Sequence, residues 1–244
     1  MTTPTLLLLC GAVFAVAFLY SSVGHAGASG YIAVMALAGL SPGFIRPTAL
    51  TLNILVAVIA SWQFYRAGHF SWRVFWPFAV LAVPCAFLGG MAHLPSRIFN
   101  VVLGLALLYS AFHFLRAPRA EGAIRSPALP AALAIGAALG LVSGLVGVGG
   151  GIFLTPLLII AGWAPTKTAS AVSALFILVN SIAGLAGTAA TSGHPPALAL
   201  PLAVAVIAGG SLGAYLGSRR FSAVAIKKLL AVVLTIAAIK LLFA

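Results

Sequence analysis

Long apolar runs, separated by brief polar or Gly/Pro-containing breaks, fill this chain from end to end. The apolar segments cover about residues 5–23, 28–40, 46–66, 72–92, 97–115, 127–146, 150–162, 166–190, 196–217 and 221–243. They do not alternate apolar and polar positions as the strands of a membrane barrel would. A helix needs about 20 apolar residues to cross a bilayer, and most of these runs have that length. The pattern therefore predicts an all-α integral membrane protein. Segments 28–40 and 150–162 are too short to span, and each directly follows a cluster of glycines. They are predicted to be half-helices or re-entrant segments.

The pattern is also duplicated. Gly24-His25-Ala26-Gly27-Ala28-Ser29-Gly30 leads into Gly39-Leu40-Ser41-Pro42; 123 positions later, Gly147-Val148-Gly149-Gly150-Gly151 leads into Gly162-Trp163-Ala164-Pro165. Gly24 falls on Gly147, Gly27 on Gly150, Gly39 on Gly162 and Pro42 on Pro165. Two repeats are expected, 1–116 and 127–244, joined by a polar link over 117–126. With about five segments each, an odd number, the second repeat should enter the membrane from the opposite side. Paired broken segments in two halves are where a transporter of this kind holds its substrate.

The positive charges fit inverted repeats. With the N-terminus outside, the cytoplasmic connections carry Arg66, Arg73, Arg116, Arg119, Arg125, Lys167, Arg219, Arg220, Lys227 and Lys228, and the outer ones only Arg46, Arg97 and Lys240. That is the usual inside bias, and it puts the link in the cytoplasm. The first apolar run has no basic residue before it and has a counterpart in the second half, so it is taken as a span rather than a cleaved leader.

Composition sharpens the picture. Apolar residues make up 63% of the chain and charged residues 6%, against roughly 25% charged in a soluble domain. The formal charge of +12 comes from isolated basic residues between spans, so a nucleic-acid partner is not expected. Glu121, in the link, is the only acidic residue. A carboxylate relay or carboxylate cation site inside the membrane is therefore hard to build, and the ligand should be an anion or a neutral molecule. Cys10 and Cys85 form no metal spacing, and the five histidines form no metal set, so neither metal nor cofactor is expected.

Several residues can carry chemistry. Glycines at Gly24, Gly27, Gly147, Gly149, Gly150 and Gly151 let the chain bend and turn backbone N–H groups toward a ligand, and a helix starting there adds its positive end. An anion held in that way needs no cationic partner. The alternative use of such clusters is close helix packing. Asn53 and Asn180 are 127 positions apart and can face one side of their helices. They either bind a substrate oxygen or bridge helices. His25 either pairs with an anion, takes a proton, or is simply packed. Arg46 and Lys167 precede the two polar-lined helices and either draw anions to the mouths or act as interfacial anchors. Trp62, Trp72, Trp76 and Trp163 suit an interfacial belt.

Gly147-Val148-Gly149-Gly150-Gly151-Ile152-Phe153-Leu154-Thr155-Pro156-Leu157-Leu158, with Ala169-Ser170-Ala171 and Asn180, resembles the second-half signature of the TauE/SafE (TSUP) sulfite exporter family. Asn53 with Phe64-Tyr65-Arg66-Ala67-Gly68-His69 resembles its first half. The resemblance covers nearly the whole chain. It implies a carrier in the bacterial inner membrane for sulfite, thiosulfate, sulfoacetate or other organosulfonates. In the first half Gly24-His25-Ala26-Gly27 stands where a Gly-x-Gly-Gly is expected.

The preferred reading is a secondary transporter working by alternating access, not an enzyme, with the lipid bilayer and a small oxyanion as partners and a homodimer left open. Two alternatives remain. An anion channel would have the same fold. An intramembrane serine hydrolase would use Ser29, in Gly27-Ala28-Ser29-Gly30, together with a base within hydrogen-bond reach.

Overall fold

The computed structural model describes residues 3–22, 25–92, 95–115, 127–192 and 200–217, with 231, 235, 238, 239 and 242 beyond them. Gly24, His93, His194, the side chain of His113, the link 117–126 with Glu121, and most of the segment predicted at 221–243 lie outside the described residues. Within them the chain is helical, with no strand: α1 (Thr3–Ser22), α2 (Ala28–Leu37), α3 (Pro42–Arg66), α4 (Trp72–Met91), α5 (Ser96–Leu115), α6 (Leu129–Val146), α7 (Gly151–Ile160), α8 (Thr166–Ser192) and α9 (Leu200–Gly217). Among these residues five helices are long and apolar enough to cross a membrane, over Thr5–Ser22, Gly43–Arg66, Trp72–Met91, Leu129–Val146 and Lys167–Thr191. The chain is a multi-pass membrane protein.

The two predicted short segments are helices of 10 residues each. They start and stop in the same way. Each follows a glycine in the left-handed region, Gly27 (φ 101°) and Gly150 (φ 77°). Each ends in a turn that needs a second left-handed glycine, Gly39 or Gly162. The closing bonds match position for position. Leu40 N–H donates to Met35 O at 3.1 Å, and Trp163 N–H to Leu158 O at 2.8 Å. Such glycine-dependent closures satisfy the last carbonyls of a helix where no water can.

One boundary differs from the sequence expectation. Helix α3 begins at Pro42, about a turn before the predicted start. Pro42 lacks an N–H, which costs nothing in a first helical turn, and its φ already suits one. Ser41 before it is extended. The earlier start carries Arg46 into the helix.

The long helices pack across the two halves. α1 packs chiefly on α9 and α4 on α6, and the pair α3/α8 lies between. The first and fourth helices of each half thus pack chiefly on helices of the other half. Small residues make the close approaches. Gly136, Gly140 and Gly144, four apart on α6, lie against the carbonyls of Phe78, Ala82 and Ala86 on α4. Gly209 and Gly213 on α9 lie against those of Phe14 and Phe18 on α1. In hydrocarbon there is no hydrophobic force between helices, so contact depends on such close fits. Outward positions stay apolar, with Leu8, Val80, Leu88, Leu105 and Val204 exposed. Trp62, Trp72 and Trp76 are exposed near helix ends, and the guanidinium of Arg66 sits over the Trp62 ring at 5.9 Å.

Candidate functional site

The two glycine loops meet through Asn53. This residue is fully buried on α3, and its Oδ1 accepts from the Ala28 N–H at 3.2 Å. Ala28 is the first residue of α2, so Asn53 caps that short helix from outside. Its Nδ2 donates to Ser181 Oγ on α8 at 3.0 Å and lies beside Gly149 of the second loop. One amide thus ties the start of α2, the second loop and α8 together. Of the two roles open to Asn53, the geometry displays helix bridging and capping.

Other side chains fill the rest of the first loop. Tyr31 Oη donates to Ala26 O at 2.7 Å, and the hydroxyls of Tyr20 and Ser29 pair at 2.8 Å. His25 is buried, and its N–H donates to Tyr20 O at 3.0 Å. Ser29 is 2% exposed, and its hydroxyl meets a phenol there, which is no base at neutral pH.

The second loop has the same place in the fold and a different interior. Gly147 closes α6, its N–H donating to Ser143 O at 2.8 Å. Gly149 (φ 74°) and Gly150 (φ 77°) are both left-handed, a region where side chains are strained. A Cβ on Gly149 would also lie 2.9 Å from Ser181 Oγ and Ile177 Cγ2. One on Gly150 would lie 2.9 Å from Phe176 Cε1 and 3.3 Å from Ser143 Cβ. Gly151, which opens α7, packs against Ile177 and the Ser173 carbonyl. Among the described residues no side chain accepts from the amides of Gly149, Gly150 or Gly151.

Unpartnered polar groups surround this loop. Ser143 Oγ and Ser173 Oγ are buried without a hydrogen-bond partner, as is Thr155 Oγ1 on α7. Asn180 is 0% exposed, and neither its Nδ2 nor its Oδ1 has a partner. It stands one helical turn after Phe176, on the same face of α8. A buried amide without partners costs about 1–3 kcal/mol. The sequence does not single out Ser143 or Thr155 as polar-site residues, and Ser173, expected from it to bond back to its own helix, has no such bond.

The two basic residues part company. Lys167 is exposed. Arg46 is 9% exposed and lies deep between helices. Its Nη1 donates to Ala92 O at 2.9 Å, and its Nη2 donates to Gly90 O and, at 2.9 Å, to Thr188 Oγ1. Its Cγ abuts Gly147. A cavity of about 660 Å³ between α4 and α8, lined by Val83, Pro84, Phe87, Leu88, Val179, Ile182 and Ala183, is apolar and offers an ion nothing.

Two short helices that open on left-handed glycines, packed among long apolar helices, define a multi-pass helical membrane protein. Residues 9–241 match the model of the sulfite exporter TauE/SafE family, and the chain belongs to that family. It is similar to the probable membrane transporter protein y4hK of Sinorhizobium fredii, 44% identical over 237 residues, which cover 95% of this chain and 96% of the relative. It is also similar to the probable membrane transporter protein MJ0441 of Methanocaldococcus jannaschii, 25% identical over 183 residues, or 70% of this chain and 68% of that one. No solved structure matches it. Membrane transport is the function these findings support, in bacteria across the inner membrane.

Proposed function

We propose that the protein is an alternating-access carrier of a small sulfur-containing oxyanion: sulfite, thiosulfate, sulfoacetate or another organosulfonate. Family membership supports the class of cargo. The lack of any acidic residue outside the link supports the sign of its charge. The observation that carries the reading is Asn180, fully buried with both amide atoms unpartnered, one helical turn from Phe176, which packs on a glycine loop whose N–H groups meet no side chain among the described residues. Loop amides at the positive end of α7 would hold the oxyanion. Asn180, Ser143 and Ser173 would supply neutral donors. Asn53, Gly27 and His25, and Gly24 outside the described residues, would form the opposite wall, with Asn53 coupling the halves.

Repeats 1–116 and 127–244, in opposite orientations, would rock about this point. The test is flux of labelled sulfite and of sulfoacetate into proteoliposomes containing the purified protein. Saturable flux of either anion is expected, with affinity lowered by about 10–150-fold in Asn180→Ala if its hydrogen bond is charge-assisted. Flux of both no greater than in protein-free liposomes would overturn the reading.

A further inference from the structure

Among the described residues Arg46 is a charge without a counter-charge. It is nine-tenths buried within a membrane-spanning helix. All three of its acceptors, the carbonyls of Gly90 and Ala92 and the hydroxyl of Thr188, are neutral. The described residues contain no Asp or Glu; the only acidic residue, Glu121, belongs to the link outside them. The effective cost of burying an ion is several kcal/mol unless charge and hydrogen bonds are both met. The carbonyls at the end of α4 bring roughly half a negative elementary charge. Part of the positive charge therefore remains. So does a donor: Arg46 Nε is buried with no partner. The side chain lies against Gly147, the first residue of the second glycine loop.

We propose that Arg46 is the fixed counter-charge of the translocated anion, and so the residue that makes the site select for charge. The loop amides and Asn180 recognise the oxygen atoms of the ligand. Arg46 sets its net charge, its remaining positive potential favouring an oxyanion over a neutral molecule of the same shape. The sequence position left open a group at the mouth or an interfacial anchor; in the structure its side chain is buried between the end of α4 and Gly147 of the second loop. This inference rests on the oxyanion-carrier reading and assigns to one residue what that reading leaves to neutral donors.

The experiment is titration of the purified full-length protein with sodium sulfite, by calorimetry and by thermal shift, with dimethyl sulfone as a neutral sulfur–oxygen comparison. The variants are Arg46→Gln, Arg46→Met, Arg46→Lys and Thr188→Val. The wild type should bind sulfite and ignore the sulfone. Arg46→Gln and Arg46→Met should lose at least about tenfold in sulfite affinity, while Arg46→Lys, which keeps the charge, recovers most of it. Met keeps the volume of the side chain without a charge, a replacement that buried ions often tolerate, so a folded variant is expected even if Gln fails. Thr188→Val removes one anchor of the guanidinium and should leave affinity within about threefold. If the wild type binds sulfite and the neutral variants bind it equally well, Arg46 is only a clamp and the proposal falls. Equal loss in Thr188→Val and Arg46→Met would overturn it too, since that marks a structural role. If the wild type binds neither sulfite nor sulfoacetate, the carrier reading falls first and this inference with it.

Discussion

The two glycine loops share a backbone plan and differ in what fills them. Gly27 and Gly150 both turn left-handed before a helix of 10 residues, and matching bonds close both helices. In the first loop Asn53 caps the helix start, Tyr31 takes the Ala26 carbonyl, and Tyr20 takes Ser29. In the second, Asn180, Ser143 and Ser173 keep unpartnered polar atoms. The backbone differs at one informative place as well. Gly149 is left-handed, whereas Ala26, its counterpart, is not. The comparison teaches that the same glycine bend can carry different polar interiors: the first loop's polar groups are bonded to one another, and those near the second keep atoms without partners.

The largest effect should come from giving the second loop a side chain. Gly149→Val should abolish anion flux and lower the melting temperature, since strain at a left-handed position costs about 1–3 kcal/mol and overpacking adds about 1–3 kcal/mol. Ala26→Gly, the counterpart change, should leave flux nearly intact. Reconstituted flux and thermal unfolding of both variants check this, and equal effects would erase the distinction between the loops.

The amides should separate stability from binding. Asn53→Ala leaves the Ala28 N–H without its acceptor and the Ser181 hydroxyl without its donor, and should destabilise the protein by about 1–3 kcal/mol. Asn180→Ala removes no bond, so the ligand-free protein should be as stable as wild type or more so, while sulfite affinity falls. Asn180→Asp should bind worse than Ala, because a fixed negative charge in a low-dielectric site repels the anion. Thermal unfolding with and without sulfite measures both quantities. A destabilised Asn180→Ala with unchanged affinity would reverse the assignment of roles.

Smaller effects should follow at the edges of the comparison. Tyr20→Phe removes one buried bond of the first loop and should cost about 1 kcal/mol, with flux nearly unchanged. Lys167→Gln, at an exposed position, should shift stability by no more than about 0.5 kcal/mol. Retained affinity in Lys167→Gln would place the mouth charge outside the site, in contrast to Arg46.

Much of the architecture was legible in the residues. Runs of about 20 apolar residues can satisfy their backbone in a membrane only as helices, so length and composition were enough. The repeated glycines marked the breaks, and the left-handed turns at Gly39 and Gly162 stand where the repeat put them. Gly136, Gly140 and Gly144, spaced four apart, line up on one face of α6, a pattern the sequence reading did not draw on. They could not say that the partner is α4, because a small-residue face fits any helix of matching shape.

The sequence by itself determined the membrane class, the two short helices with their glycine turns and the scarcity of acid, because these follow from local pattern and composition. Only the tertiary structure decided which polar residues are satisfied. Asn53 and Asn180 are the same residue type on comparable helices. One is bonded on both sides and the other on neither, because partners come from helices distant in sequence. Likewise, nothing local to Arg46 fixes whether it meets water or the end of α4. That depends on where helices α3, α4 and α8 come to lie, and burial turns one positive charge from an anchor into a candidate for reading the charge of the cargo.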